Sequence, residues 1–133
     1  MNVFLDSNVA MYAAGSDHPH KQPSLRLLQQ AQDNTIYLVT STEVLQEILH
    51  RYHRLGRPDV AAEVYHLVTD LCATILPVTV ADTDTAVGLL QTHPASVRDA
   101  LHVAVMTSHD IQLVATFDAG FDAFSQVRRL VPQ

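Results

Sequence analysis

The chain has little of what staples, anchors or electrostatically steers a protein. Cys72 is its one cysteine among 133 residues, so no intrachain disulfide can form and a reducing compartment is expected. Lysine and arginine together number 8 against 14 aspartates and glutamates, a formal net charge of −6. That balance argues against a bulk phosphate binder, which usually presents a basic face. No apolar run approaches the roughly 20 residues of a membrane span. The start does not read as a signal peptide, because Asp6 interrupts Val3-Phe4-Leu5 at once. Repeats, low-complexity tracts and linkers are also missing. The expectation is one cytoplasmic domain over residues 1–133, with no membrane attachment.

What is present is enough apolar residue, 47% of the chain, for one real core. Val3 to Leu5 reads as a short buried strand, and Asp6-Ser7-Asn8 offers caps for a helix from Val9 to Ala14. A helix is expected over Ser24–Asp33 and a strand over Ile36–Val39. Val44, Leu45, Ile48, Leu49, Tyr52 and Leu55 follow the i, i+3, i+4 pattern of an amphipathic helix over Thr42–Leu55, stopped by Gly56. Pro58 starts another helix, to about Thr69. Ala73–Val78 reads as a strand, with Pro77 placing it at an edge or end. Helices from Asp82 to about Gln91 and from Ser96 to about His109 follow, then strands at Leu113–Thr116 and Arg129–Val131. Strands alternating with helices predict a three-layer α/β/α sandwich around a mostly parallel sheet.

Four acids stand at matched places in that pattern. Asp6 ends the first strand, Glu47 lies one and a half turns into the helix after the second, Asp99 opens a helix, and Asp118 follows Leu113–Thr116. Ligands collect at the carboxyl ends of parallel strands, so acids delivered there by separate elements converge. Converging carboxylates repel one another unless they take up protons or a divalent cation, which points to a magnesium or manganese site. Each acid also has a structural explanation. Asp6 could cap the first helix. Glu47 could pair with Arg51 at i, i+4, and Ser96-Val97-Arg98-Asp99 matches a capping pattern. Asp118 could be a solvated turn residue, the reading preferred for Asp122. Asp82 and Asp84 read as helix-start acids. Glu43 is accounted for by a capping box running from Thr40 to Glu43. Capping explains each acid separately and the set poorly.

The basic residues are grouped. His50, Arg51, His53, Arg54 and Arg57 make a strip that could contact phosphates, although a solvated charged face accounts for it equally well. Histidine pairs at His18 and His20 and at His50 and His53 lack the spacing and partners usual for zinc.

Taken together, Val3-Phe4-Leu5-Asp6-Ser7-Asn8, Thr40 to Leu49, Val97 to Ala104 and Val114 to Phe121 resemble the PIN-domain nucleases. The likeness is closest to the VapC toxins of bacterial toxin–antitoxin pairs. The matching segments span nearly the whole chain in the family's order. The resemblance implies an acidic quartet of Asp6, Glu47, Asp99 and Asp118, supported by Asn8 and Thr116. It implies Mg2+-dependent cleavage of RNA, with Mn2+ as a substitute, homodimerisation, and inhibition by a VapB-type antitoxin. Asp6 and Asp99 would be the primary metal ligands, with Asp118 and Glu47 orienting water or holding a second ion. Arg51, Arg54 and Arg57 are candidate RNA contacts. A haloacid-dehalogenase-like phosphatase needs a second Asp where Asn8 stands and a late lysine, whereas the only lysine is Lys21. A non-catalytic PIN-like interaction module would not need all four acids. A housekeeping RNA-processing PIN nuclease would.

Overall fold

The computed structural model describes residues 1–133. Strands β1 (Asn2–Leu5), β2 (Tyr37–Ser41), β3 (Thr74–Leu76), β4 (Leu113–Ala115) and β5 (Arg128–Leu130) form one sheet in the order β3-β2-β1-β4-β5. Every pairing is parallel. Val3, Phe4 and Leu5 are fully buried, as are Val114 and Ala115 beside them. Such short continuous apolar runs are what a central strand covered on both faces requires.

Six helices cover the sheet: α1 (Ser7–Ala14), α2 (Lys21–Gln32), α3 (Thr42–Arg54), α4 (Pro58–Leu71), α5 (Val80–Thr92) and α6 (Val97–Ser108). From β1 the chain steps outward through β2 to β3, then returns across the sheet through α5 and α6 to β4. Right-handed crossovers running in opposite directions put α1–α4 on one face and α5–α6 on the other. The reversal leaves a crevice between the carboxyl ends of β1 and β4, the place where open α/β sheets bind ligands. Asp6 and Thr116 immediately follow those two strand ends.

Several boundaries differ from the sequence reading. Helix α2 begins at Lys21 rather than Ser24, because Pro23 falls in the first turn, where its missing N–H is harmless. Strand β3 stops at Leu76, just before Pro77. Helix α5 starts at Val80, since Thr79 is the N-cap and Asp82 the reciprocal member of a capping box. The proposed box at Thr40 is absent. Thr40 is buried in β2 and donates its hydroxyl to the Leu5 carbonyl at 2.9 Å, while Ser41 caps α3 by accepting from Val44 N. Glu43 therefore caps nothing.

Candidate active site

Asp6 turns the chain from β1 into α1. It has extended backbone at the helix N-cap, and its Oδ1 accepts from Ser7 N at 2.8 Å. Its Oδ2 accepts from the Thr116 hydroxyl at 2.7 Å and from Asn8 Nδ2 at 3.3 Å. The Thr116 oxygen accepts in turn from Asn8 Nδ2 at 3.1 Å and from Asp118 N at 3.0 Å. One donation and two acceptances use the whole capacity of that hydroxyl. Asn8 closes the network by accepting from Phe117 N at 3.3 Å. Asn8 and Thr116 thus tie the ends of β1 and β4 together and aim Asp6 into the crevice. Burial raises the Asp6 pKa, against the opposing pull of His102 and the Thr116 hydrogen bond.

Glu47 has left the helix surface that Arg51 shares. It is only 8% exposed, and its Oε2 accepts from the Ser7 hydroxyl at 3.0 Å and meets Arg98 Nη1 at 3.5 Å. Its Oε1 stands 2.6 Å from His102 Nε2. On the far side of the ring His102 Nδ1 is buried with no hydrogen-bond partner, and Glu47 Oε1 has none besides this close contact. Burial pushes the His102 pKa down, but Glu47, Asp6 and Asp99 outweigh it and the net shift is upward. The surrounding acids thus make the imidazole hold its proton more tightly than it would in water. Glu43, half-buried, has its pKa raised by burial and by Glu47, so it lies near this edge of the site rather than pointing away from it.

Asp99 sits in the first turn of α6, its N–H donating to the Ser96 N-cap at 3.1 Å. Asp118 lies across from it and accepts from Gly120 N at 2.8 Å. The two carboxylates crowd Gly120: a Cβ there would lie 2.6 Å from Asp99 Oδ2 and 3.0 Å from Asp118 Oδ1. Burial, then the Asp118 charge, push the Asp99 pKa up to about 7. Two adjacent carboxylates of this kind cannot both ionise comfortably without a counter-charge.

Asp6, Glu47, Asp99 and Asp118 line one cavity of about 250 Å3, with Asn8, Arg51 and Arg98 among its other walls. The donor set is oxygen-rich, which suits Mg2+ or Mn2+. Asp6, Glu47 and His102 also present ligand atoms within 4.8 Å of one another. His102 Nε2 lies 2.6 Å from Glu47 Oε1 and 3.9 Å from Asp6 Oδ1, so in its protonated form, which has no lone pair on either ring nitrogen, it would be a counter-charge to both acids. Asp99 and Asp118 crowd each other on the wall of the cavity that Asp6 also lines, so carboxylate oxygens from all three face one space.

The basic strip divides. Arg51 and Arg54, with His50 and Arg98, line a cleft of about 550 Å3 that meets the acidic cavity at Glu47. Arg57 instead stands at the N-cap of α4 and pairs with Asp59 at 3.4 Å. Arg129 is held by two hydrogen bonds to Asp122, both 2.9 Å. The sequence reading passed over Ser7, Arg98 and His102. A signal existed for His102, which lies one turn after Asp99 and so on the same helix face.

A family model described as "PIN domain" matches residues 3–127. Ribonuclease VapC13 of Mycobacterium tuberculosis is 40% identical over 129 residues, covering 96% of this chain and 98% of that protein. Ribonuclease VapC23 of the same species is 38% identical over 117 residues, covering 87% and 92%. Among solved structures, Mycobacterium tuberculosis VapC20, described as a Sarcin-Ricin loop cleaving toxin, superposes with a TM-score of 0.77 at 23% identity, covering 95% and 98%. VapBC2 of Rickettsia felis, bound to a promoter DNA fragment, superposes at 0.73 with 15% identity, covering 98% of both chains. These two structural likenesses concern the fold.

Proposed function

The chain belongs to the PIN-domain family, in its VapC ribonuclease branch, and from that premise we propose a Mg2+-dependent endoribonuclease that serves as the toxin of a toxin–antitoxin pair. The observation that carries this reading is the single cavity lined by all four acids. It lies at the strand ends where the sheet reverses direction, beside a cleft walled by Arg51, Arg54 and Arg98. Asp6 and Asp99 would hold Mg2+, or Mn2+ in its place, with Asp118 completing the oxygen set. When bound, the cation supplies charge neutralisation for the phosphodiester and lowers the pKa of water.

The chain's own residues do the rest. Thr116 and Asn8 fix the Asp6 carboxylate, so its orientation need not be found anew in each turnover. His102 and Arg98 pin Glu47 at the cavity wall, where it can align an attacking water. Arg51, Arg54 and Arg98 would hold the phosphates flanking the scissile one. Arg57, pairing with Asp59, contributes least. The lone Cys72 fits a reducing cytoplasm.

Two partners belong to the reading. An antitoxin segment would place an Arg or Lys among the carboxylates. Its apolar residues would enter the groove of about 390 Å3 between α3 and α4, where Leu49, Pro58, Ala61 and Ala62 lie. Structural neighbours include FitAcB of Neisseria gonorrhoeae and a toxin–antitoxin complex of Klebsiella pneumoniae. A second copy of the chain would cover exposed Val80, Val87 and Val97 on α5 and α6. Expression of the chain alone should arrest growth, and co-expression of an adjacent small open reading frame should relieve the arrest. An Asp6→Asn variant as toxic as the parent would refute the toxin reading and leave an interaction module or a housekeeping nuclease.

A further inference from the structure

Arg51 lines three adjoining cavities: the acidic one, the basic cleft, and a third of about 420 Å3. Its charge is not spent on Glu47, which has turned inward to Ser7, His102 and Arg98. The third cavity differs in chemistry from its neighbours. Tyr12, Tyr52, Met11 and Leu55 supply apolar and aromatic walls, and Ser16 lies at its exposed edge. It meets the acidic cavity through Asn8, Met11 and Arg51.

Tyr12 is held for a fixed pose. The rings of His20 and Phe117 meet it edge-on, with centroids 5.0 Å and 5.4 Å away, and His18 lies at 4.6 Å. Phe117 is itself stacked on His20 at 3.9 Å and directly precedes Asp118. A preorganised aromatic wall, a guanidinium at the mouth and a carboxylate centre next door match a flat ring carried on an anionic backbone. We propose that this cavity receives one unpaired nucleobase of the RNA strand, next to the nucleotide whose phosphate lies at the acids. The proposal rests on the hydrolase reading above and adds to it the residues that set base preference.

Stacking on tyrosine tolerates any base, because every base has a π face. Discrimination then falls to groups at the base edge. The Asn8 amide is unavailable, since Asp6, Thr116 and Phe117 already engage it. The hydroxyls of Tyr12, Tyr52 and Ser16 are the remaining polar edge. Arg51 would contact the linking phosphate and read no sequence. A protein partner is the less fitting occupant, because the apolar groove between α3 and α4 is lined by the separate set Leu49, Pro58, Ala61 and Ala62.

The test uses the whole chain, Mg2+ and a random-sequence RNA library, with cut ends mapped by sequencing. The parent protein should prefer particular bases at one position beside the cut. Tyr12→Leu and Tyr52→Leu should flatten that preference on the order of tenfold while preferences elsewhere persist, and Tyr12→Phe should retain stacking. Ser16→Phe, at an exposed position, should block the cavity and flatten the same preference without disturbing the core. Arg51→Gln should raise KM alike for all sequences. Parent-like preference in folded Tyr52→Leu and Ser16→Phe would overturn the proposal, as would a parent enzyme indifferent to every flanking base. A parent that cuts no RNA in Mg2+ would instead remove the hydrolase reading, and the subsite with it.

Discussion

His102 Nε2 lies 2.6 Å from Glu47 Oε1, and both side chains are almost wholly shielded from water. The pair joins α6 to α3 under the acidic cavity, with Asp6 Oδ1 3.9 Å from the same nitrogen. Removing one member of a buried ion pair strands the other, at a cost of about 3–5 kcal/mol. His102→Leu should destabilise the fold on that scale. Adding Glu47→Gln to it should restore part of the loss, because no charge is then left alone. Urea unfolding of the two single variants and the double variant checks this, and strictly additive losses would contradict the coupling.

Asp99 gives a pH signature in metal-free protein. Its pKa rises from 3.8 to about 7 in the fold, so the folded state binds the proton more tightly than the unfolded chain does. The resulting stability is complete below about pH 4 and gone above about pH 7. Asp99→Asn remains neutral throughout. Its melting-temperature advantage over the parent should therefore open between those limits and be full at pH 8. An advantage that is constant across the range would mean that Asp99 does not share the crowded site.

How far the sequence discloses such features depends on whether the partners are local. The apolar runs and helix periodicities made the fold legible, and the resemblance singled out four acids that line one cavity. The start of α3 at Thr42 is as the periodicity predicts, but its N-cap is Ser41 rather than Thr40, because the two are equally good caps locally. What separates them is the Leu5 carbonyl that Thr40 must satisfy. Glu47 was weighed against Arg51 for the same reason. An i, i+4 neighbour is visible in a sequence, whereas Ser7 and Arg98 lie 40 and 51 positions away. His102 was passed over because histidines were searched for close pairs rather than for a shared face with Asp99.

Thr116→Val tests the polar tie beneath Asp6. The valine would leave the Asp118 N–H without its acceptor and Asp6 Oδ2 with only the longer donation from Asn8. An unsatisfied buried group costs about 1–3 kcal/mol, so thermal unfolding should shift down by that scale and Mn2+ affinity should fall. Thr116→Ser should recover both. A valine variant with parent-like Mn2+ affinity by titration calorimetry would show that Asp6 needs no support.

Gly120→Ala separates site geometry from folding. Its Cβ would press on the Asp99 and Asp118 carboxylate ends at 2.6 Å and 3.0 Å. Those ends are flexible, so the fold should keep its stability to within about 0.5 kcal/mol. The cation pocket should be deformed, with RNA cleavage reduced at least tenfold. Full activity in the alanine variant would exclude a cation held between those two acids.

The central claim is that four acids drawn from β1, α3, α6 and the end of β4 form one cation-dependent centre for RNA hydrolysis. The most direct measurement is incubation of the purified chain with total RNA and Mg2+, with new ends mapped by sequencing and with chelator and Asp99→Asn as parallel samples. Discrete new ends should appear with Mg2+ or Mn2+ and vanish in both controls. The same ends persisting with chelator and Asp99→Asn would contradict the account.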